Sequence, residues 1–202
     1  MLIEHNCNLI LASTSKIRKR IMDEVGLKFT VKAPLFDEDL GKKKVKLSPP
    51  KLAIYLAEQK ALSISEKFRD AYVIGSDQVC EFEEKEISKS NNAKEALEQL
   101  KKFNGKIHFQ NNAAVIAFNG KIIFRKFSRV KLQMRKMTAT EIESYVKIDQ
   151  PWGCAGSYKY ESLGKHLFEK ISGDYYSVLG LAIQPLTAFL HRKKLISINK
   201  NK

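Results

Sequence analysis

Ala71-Tyr-Val-Ile-Gly-Ser-Asp-Gln-Val79 is the stretch on which the fold turns. Residues 71–74 are compact and β-favouring, as suits a strand buried on both faces. The pattern then breaks at Gly75, Ser76, Asp77 and Gln78, where no apolar face continues. An acid directly after a buried strand stands where α/β sheets place chemistry, at the strand's carboxyl end. Asp77 reads as a metal ligand or general base, or else as the cap of an Asx-turn leaving the strand.

Upstream, Asn8-Leu-Ile-Leu-Ala12 reads as a short strand bounded by polar residues. Ser13-Thr-Ser-Lys-Ile-Arg-Lys-Arg20 then opens a helix with apolar spacing at Ile17, Ile21 and Val25, stopped by Gly26. Lys16, Arg18, Lys19 and Arg20 crowd its first turns, where cations oppose the helix dipole. The conflict disappears if hydroxyls, free N–H groups and guanidinium hold a phosphate there; the alternative is a solvated basic face. Phe29 to Ala33 reads as a second strand ended by Pro34. Residues 35–48 read as a polar loop whose Asp37, Glu38 and Asp39 are either solvated or donors to Mg²⁺ or Mn²⁺. Ser48-Pro49-Pro50 opens a helix to about Lys67, with Leu52, Tyr55, Leu56, Gln59 and Leu62 at helical spacing on its apolar face. Lys60 lies at the edge of that face, where it either snorkels to water or reaches into a site.

Downstream, Cys80 to Ile87 reads as a small hairpin closed by Ser88-Lys89-Ser90, and Asn92 starts a helix that ends at Asn104-Gly105. Two long β-rich runs, Ile107 to Phe118 and Ile122 to Met134, are joined by Asn119-Gly120, the strongest short hairpin signal. Thr138 and Glu141 form a capping box for a helix at 139–148. Gln150 to Gly164 is Gly-rich and irregular, with Trp152, Tyr158, Tyr160 and Glu161; it suits a base-binding loop or a packed structural one. Leu167 to Ile171 reads as a strand, and Leu179 to Arg192 contains the last helix. Strands interleave with helices, and the Asn-Gly hairpin makes the sheet mixed, so the fold class is α/β, α+β-like.

The 202 residues suit one domain, 1–202, or one domain with a lobe. Lys and Arg number 36 against 22 Asp and Glu, giving +14, a surface that attracts polyanions unless lysine merely solvates it. The aromatics are not interleaved with the basic runs and no RNP, KH or zinc pattern appears, which argues against a nucleic-acid binder without turnover. Cys7, Cys80 and Cys154 lack metal spacing and read as reduced thiols, and four scattered histidines argue against a zinc site. No apolar run reaches the ~18 residues of a membrane span, and the start lacks signal-peptide features, so a cytoplasmic protein is expected.

Several segments, in one order, resemble the Maf nucleotide pyrophosphatases over roughly residues 8–190. They are Leu9-Ile-Leu-Ala-Ser-Thr-Ser15 with Arg18; Asp37-Glu38; Glu58-Gln-Lys-Ala61; Ile74-Gly-Ser-Asp-Gln78; Lys89; Ala155-Gly-Ser-Tyr158; and Gly173-Asp174 with Val178-Leu-Gly-Leu181. The resemblance implies a mixed, strongly bent central sheet flanked by helices, similar to inosine triphosphate pyrophosphatases, with lobes around a central cleft. It implies cleavage of nucleoside triphosphates between the α- and β-phosphates, releasing a monophosphate and pyrophosphate with a divalent cation, Mg, Mn or Co. By motif, Asp77 matches the catalytic acid, and Glu38 with Asp77 the metal site. Ser13, Ser15, Arg18, Lys60 and Lys89 match phosphate-handling positions. The expected partner is a small nucleotide; a homodimer is compatible, and neither a membrane nor nucleic acid is expected.

Within the family, Gln78, Cys154 to Tyr158 and Glu161 resemble the 7-methyl-GTP branch, whereas the dTTP and UTP branch has Thr at position 78 and Gln at 161. The resemblance makes Ile17, Gln78 and Glu161 the specificity positions. A carboxylate at 161 suits both N–H donors of a guanine edge, and a cationic methylated base favours an aromatic face. The branch often carries Trp at position 17, where this chain has Ile17; Trp152 and Tyr160 are the candidates to compensate. One further departure replaces the family's proline and second arginine with Lys16 and Lys19, and a lysine keeps the charge but not the bidentate fork.

Overall fold

The computed structural model describes residues 3–198. A seven-stranded mixed sheet forms the frame, with strands β2 (Asn8–Ala12), β3 (Thr30–Lys32), β4 (Ala71–Phe82), β5 (Lys85–Ile87), β6 (Ile107–Phe118), β7 (Lys121–Met134) and β8 (Phe168–Ser172). Its order is β3-β2-β4-β6-β7-β8, with β5 beside β4. β2 runs parallel to β3 and β4, and β4, β6, β7 and β8 follow antiparallel. Asn119 and Gly120 both take positive φ, the type I′ requirement, between two of the longest strands. A small separate sheet pairs β1 (Ile3–His5) with β9 (Ile196–Ile198), which the sequence did not announce.

The decisive difference concerns Asp77. β4 does not stop at Ile74 but continues as a 12-residue strand through Gly75, Ser76, Asp77 and Gln78. No Asx-turn exists there, since Asp77 sits in register with Ala113 of β6. Antiparallel pairing to β6 carries the strand through a stretch whose side chains form no continuous apolar face. The parallel neighbour β2 does end, at the pair Ala12 with Gly75. Residues 76–79 therefore have β6 on one side and, among the described residues, no ladder partner on the other until β5 joins at Cys80. The strand end that matters is that of β2.

Helix α3 (Pro49–Ser65) lies across β4 and β6, burying Ala53, Ala57 and Ala61 among Val73, Val115 and Ala117. Small residues bring its backbone close: a Cβ at Gly75 would stand 2.4 Å from the Ala57 carbonyl oxygen. Helices α1 (Lys16–Glu24) and α7 (Ile183–Arg192) supply Ile21, Met22, Leu186 and Leu190 to a second core with Leu9 and Leu11. A third core lies farther along the long strands, where α4 (Ala93–Phe103) and α5 (Ala139–Asp149) pack on Cys80, Leu132 and Met134.

Two local readings change. Residues 38–43 form helix α2 (Glu38–Lys43) rather than a loop, because Asp37 caps it by accepting from Leu40 N at 2.9 Å and the two acids of its first turn favour the dipole. A short helix, α6 (Tyr175–Leu179), precedes α7, capped by Asp174 and ended by Gly180 at φ +104°.

Candidate active site

The unladdered edge of β4 opens into a cleft of about 730 Å³. Ser15, Ile17, Arg18, Glu38, Lys60, Asp77, Gln78, Lys89 and Glu161 all line it, although they come from distant segments. Ser13 does not. It is buried behind Arg18, its Oγ accepting from Arg18 Nη1 at 3.3 Å and from Ser15 N at 3.2 Å. Consecutive strand residues point to opposite faces, so Asp77 and Gln78 divide the cleft. Asp77 faces α3 and α2; Gln78 faces α6.

On the first face, Lys60 Nζ touches both acids, at 2.5 Å from Asp77 Oδ1 and 2.6 Å from Glu38 Oε2. Asp77 is 5% exposed and Lys60 9%. Burial raises the Asp77 carboxyl above its usual range, with Glu38 adding to the effect, although Lys60 and Arg18 pull against it. Burial also pushes Glu38 upward, but Lys60, Lys42 and Lys89 outweigh it and leave its pKa lowered. The two acids thus diverge, the arrangement expected where one must take a proton and the other stay charged. Lys42, which reads from the sequence only as the start of a lysine cluster, bridges Glu38 at 3.6 Å and Glu86 at 2.7 Å; burial lowers its pKa but those carboxylates raise it overall.

Arg18 lies between the faces. Its Nε donates to Gly180 O at 2.9 Å. That carbonyl turns inward because Gly180 adopts a left-handed conformation. Ser76 Oγ also reaches it at 2.9 Å. Asn112 ties the floor together, donating to Ser76 Oγ at 3.3 Å and Asp77 O at 3.1 Å and accepting from Ala182 N at 3.2 Å. No spacing signal marks Ser76, Asn112 or Gly180 as partners, because only the fold brings them together. The other basic residues of α1 turn away: Lys19 pairs with Asp23, Arg20 pairs with Glu24, and Lys16 is exposed. The expected cradle therefore reduces to Arg18 with the Ser15 cap, and the Lys19 departure falls on the outer face.

On the second face, Gln78 Nε2 donates to Val178 O at 2.8 Å and Ser177 O at 3.2 Å, which fixes its amide against α6. Residues 150–164 cover this end. Ser157 Oγ lies 2.9 Å from Ser90 Oγ, Gln110 Nε2 donates to Ala155 O at 2.9 Å, and Ser162 Oγ donates to Asp149 Oδ1 at 2.7 Å. Trp152 is exposed and does not line the cleft, whereas Tyr160 and Glu161 do.

The donor set suits a hard divalent ion. One ammonium already bridges Glu38 and Asp77, so a single cation can be shared by these two carboxylates. Among the described residues no group of three or more His, Cys, Asp and Glu could hold a metal unaided. An ion here needs oxygens from a ligand, the mode in which Mg²⁺ binds one or two carboxylates plus phosphates.

A family model described as Maf-like protein matches residues 8–193. The chain belongs to the Maf family. Its relatives include a nucleoside triphosphate pyrophosphatase of Bradyrhizobium diazoefficiens, 36% identical over 94% of this chain and 96% of the relative. A 7-methyl-GTP pyrophosphatase of Bdellovibrio bacteriovorus is 40% identical over 93% and 97%, and one of Brucella suis biovar 1 is 37% identical over the same shares. The Maf matches thus span the cleft and both of its faces. Among the described residues no helix is long and apolar enough to cross a membrane.

Proposed function

We propose that this chain is a nucleoside triphosphate pyrophosphatase, hydrolysing the α–β phosphoanhydride to a monophosphate and pyrophosphate, with 7-methyl-GTP as the favoured substrate. The observation that carries this reading is the Glu38–Lys60–Asp77 chain at the bottom of a cleft that Arg18 and Lys89 also line. We read the chain as one domain whose lobes flank that cleft.

Water attacks the α-phosphorus while the bond to the α–β bridging oxygen breaks, and that oxygen leaves with pyrophosphate. Asp77 takes the proton from the attacking water. Arg18, Lys60 and Lys89 offset the charge that builds on the leaving group, usually the main contribution in phosphoryl transfer. The Ser15-capped start of α1 adds backbone N–H groups beside Arg18. A divalent ion held by Glu38 and Asp77 would polarise the phosphoryl oxygens and acidify the water. Lys60, which already touches both acids, lines the cleft and can contact phosphate as well. Gln78 and Glu161, on the opposite face from Asp77 and on the covering loop, meet the base.

The test is to incubate pure protein with ordinary and modified triphosphates and Mg²⁺, Mn²⁺ or Co²⁺, and to quantify both products. Pyrophosphate and monophosphate in equal amounts are expected. Release of orthophosphate, or of nothing, overturns the reading.

A further inference from the structure

Three aromatic residues near the cleft are candidates to contact a base, and the structure separates them. Trp152 is exposed and outside the lining. Tyr158 lines the cleft but is 5% exposed; its ring is engaged by His108 and Phe168, and its hydroxyl lies 2.7 Å from Gln110 Nε2 and 3.0 Å from His108 Nε2. Tyr160 is different. It is half-buried, and its hydroxyl makes no hydrogen bond among the described residues. Phe168 and Tyr175 brace its ring at tilted angles, with centroids 6.0 and 5.8 Å away. It packs at the rim of the same apolar core as Ile17, and both residues line the cleft together with Leu179. The next residue, Glu161, lines the cleft without an ion-pair partner among the described residues. An unpaired carboxylate beside a braced ring suits a flat, positively charged group.

We propose that Tyr160 is a specificity-determining residue that stacks on the base and, with Glu161, selects a guanine made cationic by N7-alkylation. The ring attracts the cation by its quadrupole, and Glu161 accepts from the N–H edge. Tyr160 supplies from the covering loop the aromatic face that the aliphatic Ile17 lacks. This rests on the pyrophosphatase reading for its substrate class.

The test measures calorimetric binding of 7-methyl-GMP and GMP to the wild type, Tyr160→Leu and Tyr160→Phe, alongside KM for 7-methyl-GTP and GTP. Tyr160→Leu should weaken 7-methyl-GMP by roughly 10-fold and GMP by a smaller factor, while Tyr160→Phe keeps the preference. Thermal melts check that both variants fold. An unchanged ratio of the two affinities in Tyr160→Leu overturns the proposal. So does an equal loss in Tyr160→Phe, or a wild type that binds neither nucleotide or shows no preference. If no triphosphate yields pyrophosphate, the pyrophosphatase reading fails by itself and the binding ratio still judges Tyr160.

Discussion

Lys60 Nζ lies 2.5 Å from Asp77 Oδ1, and this buried pair joins α3 to β4 where the strand has lost its parallel neighbour. The lysine also holds Glu38 of α2, so one ammonium ties three elements together. Structure and chemistry meet in this contact.

Lys60→Met removes the cation and leaves Asp77 buried beside Glu38. Breaking one side of a buried pair costs about 3 kcal/mol. The substitution removes an attraction that lowers the Asp77 pKa, so that pKa rises further. The stability deficit should then be largest at pH 8 and shrink as acid protonates Asp77. Urea denaturation at pH 8 and pH 5 reads it, and equal deficits at both pH values would count against the pair.

Asp77→Asn keeps the shape and can still accept from Lys60. Pyrophosphate release should fall by roughly 10²–10⁴-fold, the share of a general base, with the thermal midpoint little changed. Near-normal turnover would remove Asp77 from the role of base.

Titration separates the two acids. In the metal-free protein Asp77 should titrate above the ordinary carboxylate range, as read from its side-chain carboxyl signal by NMR. Glu38 contributes to that elevation, so Glu38→Gln should move the Asp77 midpoint of the metal-free protein to lower pH. A midpoint that stays in place would mean that Glu38 does not act on Asp77.

Gly75→Ala tests how tightly α3 is seated. The new Cβ would meet the Ala57 carbonyl oxygen at 2.4 Å and the Ala61 Cβ at 2.8 Å, so the helix must shift. About 1–3 kcal/mol of destabilisation is expected, together with lost turnover, because Lys60 rides on that helix. Unaltered stability and activity would show that the helix has slack.

His108 should make the fold acid-sensitive. Burial lowers its pKa to about 3, and Phe103 stacks on its ring with centroids 4.5 Å apart. The unfolded chain binds the extra proton below about pH 6.5, so stability is complete above that value and declines toward pH 3, by up to about 1.4 kcal/mol per pH unit. His108→Gln should flatten the slope between pH 6 and pH 4 in denaturation series. Identical slopes in the two proteins would refute it.

Local signals in the chain determined most of the elements. The Asn119-Gly120 turn, the Thr138 and Glu141 box and the Asn92 cap each lie where the sequence puts them, because their chemistry is complete within a few residues. Motif order also carried the family. Ladder partners and side-chain faces were a tertiary matter. β4 runs through Asp77 because β6 pairs with it, and β2 stops short because its chain turns into α1. The sequence could not show that Ser13 sits behind Arg18, that Lys42 joins Glu38 to Glu86, or that Tyr160 rather than Trp152 reaches the cleft. Each of these depends on contacts between segments far apart in the chain, and burial and distance across such segments exist only once the sheet has assembled.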